Sequence, residues 1–196
     1  MISSLCHVYE LAGEHEKAEQ TAQQIFGKYE SQRAWCSILK GEKLVDHVQN
    51  SIIQTVPDID FMLKTVFETD CYTDEEKIIL CRKMIAIYEI LDECREWPVG
   101  MLFSYMLYAR IAVLCVKAGD ITECFSALNN AADLAVRIDS LPSEGFPSSL
   151  LLNRISFEYL YGCGEKESLR KDIEAETAFE SIREMTEYKA IMEKLK

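Results

Sequence analysis

The chain has 196 residues with an apolar share of 48%, and this composition excludes a wholly disordered protein because enough apolar surface is present to bury a core. The formal net charge of −12 disfavours nucleic acids and anionic membranes as partners, since their phosphates repel an acidic protein. Only 8 Gly and 4 Pro occur, so long helices are expected rather than many short strands.

Two short helices are predicted at the N-terminus, from Ile2 to Ala12 and from Glu14 to Phe26, where apolar residues recur at helical spacing. Gly13 lies between them, and we expect it in the left-handed conformation that ends many helices. Because so tight a connection leaves the chain little choice, the two helices should pack antiparallel. No secretory leader is expected, since helical spacing begins directly after the first residue.

A third helix is predicted from Gln32 to Leu39 and a fourth from Glu42 to about Thr55, with Gly41 between them. Pro57 follows, and helical spacing then resumes from Ile59 to Thr69. Proline disrupts the interior of a helix, but it is tolerated where the helix bends. The pattern leaves open whether Pro57 kinks one long helix or separates two.

The next helix is predicted to begin at a capping box, in which Thr73 and Glu76 satisfy each other's free backbone amides. Its apolar spacing continues to about Glu93. Pro98 is then well placed as the first residue of another helix, which runs to Ala118.

Gly119 should end that helix, and Asp120 should cap a further helix that runs to about Ile138. The segment from Asp139 to Phe146 is rich in turn-forming residues and is predicted to be a loop. No strand is predicted in any part of the sequence.

The C-terminal part is predicted to consist of capping helices over residues 147–196. One helix is expected from Pro147 to Tyr161, and the segment from Gly162 to Gly164 should form a turn. From Glu165 to Lys196 the chain is charged and helical in pattern, with a sparse apolar stripe.

The run from Met101 to Val116 is almost continuously apolar, as a membrane span would be. A span needs about 20 residues, whereas this run is shorter and contains Arg110. We therefore interpret it as a buried helix of a cytoplasmic protein without membrane contact.

Eight cysteines occur, and none are arranged as the C-x-x-C pairs that bind metals or exchange disulfides. Most fall in apolar helical runs, where a thiol behaves as a small apolar side chain. Reduced thiols are the favoured interpretation, and a disulfide framework is the alternative. The cysteines are Cys6, Cys36, Cys71, Cys81, Cys94, Cys115, Cys124 and Cys163.

Two predicted helix pairs share one spacing of small or apolar residues around a glycine. Small residues are needed where two helices cross closely, and glycine is needed at the sharp turn between them. The matching positions are Tyr9, Gly13, Ala18, Ala22 and Ile25 in the first pair and Cys115, Gly119, Cys124, Leu128 and Ala131 in the second.

This spacing resembles the tetratricopeptide repeat, in which antiparallel helix pairs stack into a right-handed superhelix, an all-α solenoid. The resemblance implies a single repeat domain over residues 1–196, with irregular repeats at 1–69 and 73–138 and capping helices at 147–196. The repeat register implies that Ser3, Met106 and Val116 lie beside the concave surface, together with the candidate binding residues named below.

The order of segments is similar to the C-terminal repeat region of bacterial helix-turn-helix regulators of the lambda-repressor-like (XRE) class. The similar segments are Trp35 to Lys43, Gly119 to Ala135, the loop from Asp139 to Pro142, and the tail from Phe179 to Tyr188. Such regulators begin with a DNA-binding bundle, and none is expected here before Ile2. The resemblance implies a regulatory half that binds a protein or peptide ligand and can form a homodimer.

Arg110 is the leading candidate for ligand binding, because a guanidinium in so apolar a helix needs a partner. It either pairs with an internal acid or reaches solvent along its own stem, or it lines a groove and receives a ligand carboxylate or carbonyl. The candidate peptide-binding residues are Arg110, Tyr105, Ala109, Val113, Lys117, His7 and Glu10.

The carboxylate clamp of chaperone-binding repeats needs Lys and Asn at two of these positions. Ser3 with His7, and Ala109 with Val113, occupy them here, which disfavours a chaperone-tail binder. No catalytic motif, metal-binding histidine pair or cofactor-binding loop is present in the sequence. We therefore expect a binding module without enzymatic activity or cofactor, and a structural scaffold with no DNA-linked role is the alternative.

Overall fold

The computed structural model describes residues 2–25, 27–67, 69, 71–158 and 164–196. These residues are mostly helical, which confirms the all-α prediction. The helices are α1 (Ile2–Leu11), α2 (His15–Gln23), α3 (Lys28–Ile38), α4 (Gly41–Phe67), α5 (Asp74–Leu91), α6 (Pro98–Ala118), α7 (Ile121–Asp139), α8 (Glu165–Ala175) and α9 (Thr186–Lys194), with a 3-10 helix at Thr177–Ile182. A pair of two-residue strands, β1 (Glu144–Gly145) and β2 (Phe157–Glu158), also occurs, although the sequence predicts no strand.

The chain divides into two compact units, unit 1 (Met1–Asp58) and unit 2 (Ile59–Lys196). Unit 1 contains α1, α2, α3 and most of α4, and unit 2 contains the remaining elements. That the whole chain forms one repeat domain stays a prediction.

The first helix pair turns at Gly13, as predicted. Gly13 has a φ of +77°, and its N–H donates to the Glu10 carbonyl at 3.1 Å. The next amide, that of Glu14, donates to the Tyr9 carbonyl at 2.9 Å. These two bonds form a Schellman motif, which satisfies carbonyls that would otherwise be free at the end of α1.

The pair α6–α7 turns at Gly119 in the same way. Gly119 has a φ of +81° and donates to the Val116 carbonyl at 3.1 Å, while Asp120 donates to the Cys115 carbonyl at 2.9 Å. Nothing lies within 4 Å of a Cβ built at either glycine, so it is the left-handed backbone, and not lack of space, that requires glycine. The shared sequence spacing therefore corresponds to one shared turn structure.

Small or apolar residues at the matched positions pack into the cores of the two units. Ala18 and Ala22 are buried in unit 1 with Cys6, Ala34 and Ile38, and Tyr9, Ile25, Trp35 and Leu39 pack partly buried against them. Cys115, Cys124, Leu128 and Ala131 are buried in unit 2. Burial of these positions lets α1 pack on α2 and α6 pack on α7.

Pro57 lies inside a single helix, which settles the question that the spacing left open. Helix α4 runs unbroken from Gly41 to Phe67. Pro57 has no N–H to donate to the carbonyl four residues earlier, so this turn of the helix lacks one of its hydrogen bonds. The boundary between the two units falls directly after this point, at Asp58.

Helix α5 begins at the predicted capping box. The Thr73 hydroxyl accepts from the Glu76 amide at 3.3 Å, and the Glu76 carboxylate accepts from the Thr73 amide at 2.8 Å. Helix α5 then packs against α6, which packs in turn against α7.

Helix α6 is the one helix among the described residues that is long and apolar enough to cross a membrane. It has 21 residues, five more than the apolar run noted in the sequence, so length alone does not exclude a span. Half of its most apolar stretch is buried inside the protein, and core helices of soluble proteins can be equally long and apolar.

The helix predicted from Pro147 to Tyr161 is wrong over residues 147–158, and Tyr159 to Tyr161 lie outside the described residues. Polar groups here bond to another part of the chain. The Ser149 hydroxyl donates to the Leu91 carbonyl at 2.6 Å, and the Ser148 amide donates to the Glu96 carboxylate at 2.7 Å. The segment is thereby held against the end of α5, and β2 pairs with β1 at its far end.

The C-terminal part is helical, as predicted, but in three pieces. Asp139 caps α8 from a distance, since its carboxylate accepts from the amides of Glu165 at 2.7 Å and Lys166 at 3.1 Å. The buried stripe of this part consists of Leu169, Ile173, Phe179, Ile182, Tyr188, Ile191 and Leu195. The predicted turn at Gly162 and Cys163 lies outside the described residues.

Candidate functional site

The candidate binding residues fall in both units. His7 and Glu10 lie on α1 in unit 1, and the other five lie on α6 in unit 2. Their environments differ enough that each is described separately.

Glu10 is bonded within its own unit. Its residue is 9% exposed, and its carboxylate accepts from Lys40 Nζ at 2.5 Å and pairs with His15 Nδ1 at 2.7 Å. The hydrogen bond from Lys40, followed by that from His15, lowers the pKa of Glu10. Glu10 therefore ties the end of α1 to α2 and to the link before α4, while His7 is exposed on the same helix.

Tyr105 is also hydrogen-bonded within its own unit. The residue is buried, and its hydroxyl donates to Glu165 Oε2 at 2.5 Å. This bond connects α6 to the start of α8. Tyr105 is thus placed in the packing between helices and not on an open surface.

Arg110 lies at the edge of a pocket of about 310 Å³. The pocket is lined by Asp60, Lys64 and Phe67 from α4 and by Met106, Leu107 and Arg110 from α6. Phe67 and Leu107 are buried, whereas Met106 and Arg110 are exposed. The pocket therefore combines an apolar lining with charged groups, as sites for small ligands and side chains usually do.

Lys64 is held between a carboxylate and an aromatic ring. Its Nζ lies 3.0 Å from Asp60 Oδ2, one helical turn away, and 5.5 Å from the centre of the Phe103 ring. Asp60 is only 3% exposed. A buried carboxylate needs such a partner, and Lys64 provides one.

Arg110 makes no hydrogen bond or ion pair with any residue that the structure describes. Its positive charge does reach the core, where it opposes the effect of burial on the Cys81 thiol. Burial is the stronger effect and raises the pKa of Cys81 to about 12. Because Arg110 is exposed, its guanidinium donors are accessible to a ligand.

The Asp60 carboxylate acts in the opposite sense on Tyr88, whose hydroxyl is buried without a hydrogen-bond partner among the described residues. Burial and then the Asp60 carboxylate raise the pKa of Tyr88. A nearby negative charge disfavours the ionised form of a tyrosine, which is why the Asp60 carboxylate raises the pKa of Tyr88.

The remaining candidates on α6 do not line this pocket. Ala109 and Val113 are half-buried, and Lys117 is exposed near the end of the helix. Seven residues separate Lys117 from Arg110, so both lie on one stripe of the helix. The structure thus brings only Arg110, of the seven candidates, together with the pocket.

Sequence reasoning missed Asp60, Lys64 and Phe67, because they come from a different helix and lie 43 to 50 positions before Arg110 in the sequence. The spacing of Asp60 and Lys64, four residues apart, is the one signal that could have indicated a paired acid and base. No group of three residues able to hold a metal ion occurs in the part of the chain that the structure describes.

Comparison of the chain with protein-family models, with curated proteins and with solved structures found no match.

Proposed function

We propose that this chain is a non-catalytic domain that binds a peptide or another protein through stacked antiparallel helix pairs. The two pairs with the same Schellman turn, α1–α2 and α6–α7, support a repeat origin of the tetratricopeptide kind. Repeats of this kind stack into a right-handed solenoid whose surfaces suit the binding of extended or helical peptides.

The pocket beside Arg110 carries the proposal. A peptide offers carboxylate and carbonyl oxygens next to apolar side chains. Arg110 presents open donors beside Met106 and the buried Leu107 and Phe67, so both kinds of group would be satisfied at one place. A cytoplasmic, bacterial regulator of the helix-turn-helix class, with this chain as its effector-sensing or oligomerising half, is the setting that the segment order favours.

Panning of a displayed library of random 12-residue peptides, followed by calorimetric titration of the selected peptides, tests this function. We expect micromolar binders whose affinity falls about tenfold or more in Arg110→Gln, as is usual when a charged partner is lost. Arg33→Gln is the matched control, since Arg33 is an exposed arginine of unit 1. Failure to select any peptide, or equal loss in both variants, would argue against the proposal.

Assembly between copies of the chain is a second candidate function. Helix α1 exposes Leu5, Val8 and Leu11 at spacings of three residues, and Leu11 is 75% exposed. Such a stripe on one helix face is typical of a contact surface.

Light scattering over a range of concentrations separates the two functions. Assembly predicts a mass that rises above the 22.5 kDa of one chain and returns to it in Leu11→Ser. Leu150→Ser is the control, because Leu150 is at least as exposed as Leu11 but lies in unit 2. A constant mass of one chain would remove this candidate.

A further inference from the structure

The charged groups of the pocket beside Arg110 differ in the sign of their charge and in whether they form an ion pair. Arg110 is exposed and makes no ion pair in the described residues, whereas Lys64 is shared with the buried Asp60 at 3.0 Å. Among the described lining residues, two cations and one carboxylate leave a net charge of +1. This local surplus stands against a chain whose formal net charge is −12.

One negative charge on a ligand neutralises this surplus, and a second does not. A carboxylate carries a single charge and matches the planar donors of Arg110. A phosphate monoester carries roughly −2 at neutral pH, so it would place an uncompensated charge beside Asp60. Water cannot screen the Asp60 carboxylate well, because the residue is only 3% exposed.

We infer that the pocket accepts an acidic peptide side chain next to an apolar one and rejects a phosphorylated side chain, with Asp60 setting this preference. The inference rests on the proposed peptide-binding function and specifies the ligand of the same site. Phe67, Met106 and Leu107 hold the apolar neighbour, Arg110 receives the carboxylate, and Asp60 keeps Lys64 from providing a second free cation.

A head-group series tests this preference without any peptide. The probes are hexanoate, hexanol and hexyl phosphate, which share an apolar tail and differ in charge. Their binding is followed through the methyl resonances of Met106 and Leu107 in the full chain. We expect hexanoate to bind about tenfold more tightly than either other probe, since an uncompensated like charge is costly at a partly buried site.

Asp60→Asn should reverse the order of the two anions. Without the carboxylate both Lys64 and Arg110 are free cations, so hexyl phosphate should bind at least as tightly as hexanoate. Asp172→Asn is the matched control, because Asp172 is exposed on α8 and does not line the pocket. Should Asp60→Asn not fold, Arg110→Gln serves instead and should abolish the advantage of hexanoate over hexanol.

The outcomes separate this inference from the function on which it rests. If hexyl phosphate binds the unmodified chain as tightly as hexanoate, the charge preference is overturned even where peptides bind. If hexanoate is preferred and no peptide is ever selected, the preference stands and the peptide-binding function fails. If no probe perturbs Met106 or Leu107, the pocket is not a ligand site and both are overturned.

Discussion

At the scale of single residues, burial outweighs neighbouring charge in deciding how the core ionises. Burial raises the pKa values of Cys81 and Cys124 to about 12, and the charge of Arg110 only moderates the effect on Cys81. Such thiols stay protonated at neutral pH and are poor nucleophiles. Cys36, Cys71 and Cys94 are exposed instead.

Brief labelling with N-ethylmaleimide should therefore divide the described cysteines into two classes. Cys36, Cys71 and Cys94 should react within minutes at pH 7, and the four buried ones, Cys6, Cys81, Cys115 and Cys124, should react only after unfolding. Peptide mass spectrometry measures both, with a sample in denaturant as the control. Fast labelling of Cys124 in the folded chain would show that α6 and α7 do not pack as described.

Glu10 behaves in the opposite way, because two cationic side chains act on its carboxylate. The lowered pKa means that the folded chain holds this proton less tightly than the unfolded chain does. The resulting stability is present above the ordinary carboxyl pKa of 4.5 and is lost as the pH falls through the lower, folded value.

Glu10→Gln should accordingly lower the thermal midpoint at pH 7 and change it little at a pH below the folded-state pKa. Circular dichroism melts over that range measure this, and Glu19→Gln is the control because Glu19 is an exposed glutamate on α2. An equal effect of both substitutions at pH 7 would mean that the bonds to Lys40 and His15 contribute no stability.

At the scale of elements, the sequence predicts a helix wherever its end is set by nearby residues. Gly13, Gly119 and the Thr73 capping box act within five residues of their own position, so their signals are legible in the chain. The segment 147–158 has no such signal. Its bonds from Ser148 and Ser149 reach residues more than 50 positions away, so only the tertiary structure reveals why it is not a helix.

The turn at Gly119 provides a direct test at this scale. Gly119→Ala should destabilise the chain by about 1 kcal/mol, because a side chain with a Cβ is strained in the left-handed region. Gly119→Asn should cost less, since asparagine tolerates this conformation. Urea unfolding measures both, and equal costs for Ala and Asn would contradict a left-handed turn.

At the scale of the whole molecule, the net charge indicates which classes of partner are disfavoured, but it does not show where a ligand binds. The net charge follows directly from the composition. The positive charges of Lys64 and Arg110, in contrast, come together only because two helices that are distant in the sequence line one pocket. Sequence reasoning therefore identified Arg110, from its charge within an apolar helix, and missed Lys64, Asp60 and Phe67. It also grouped Tyr105 with Arg110, although the structure bonds Tyr105 to Glu165.

The acidic charge predicts that this chain does not itself bind DNA. A 30-base-pair duplex labelled with fluorescein should show no change in anisotropy with micromolar protein at about 0.1 M salt, because no counterion release offsets the repulsion. A duplex-binding basic protein in the same buffer is the control. Saturable binding by this chain at that salt concentration would contradict this prediction.

The most direct test of the peptide-binding account is a methyl NMR titration of the full chain with a peptide selected by panning. The account predicts that the largest shifts belong to Met106 and Leu107 and that they disappear in Arg110→Gln. Shifts that lie elsewhere, or that persist unchanged in Arg110→Gln, would contradict it.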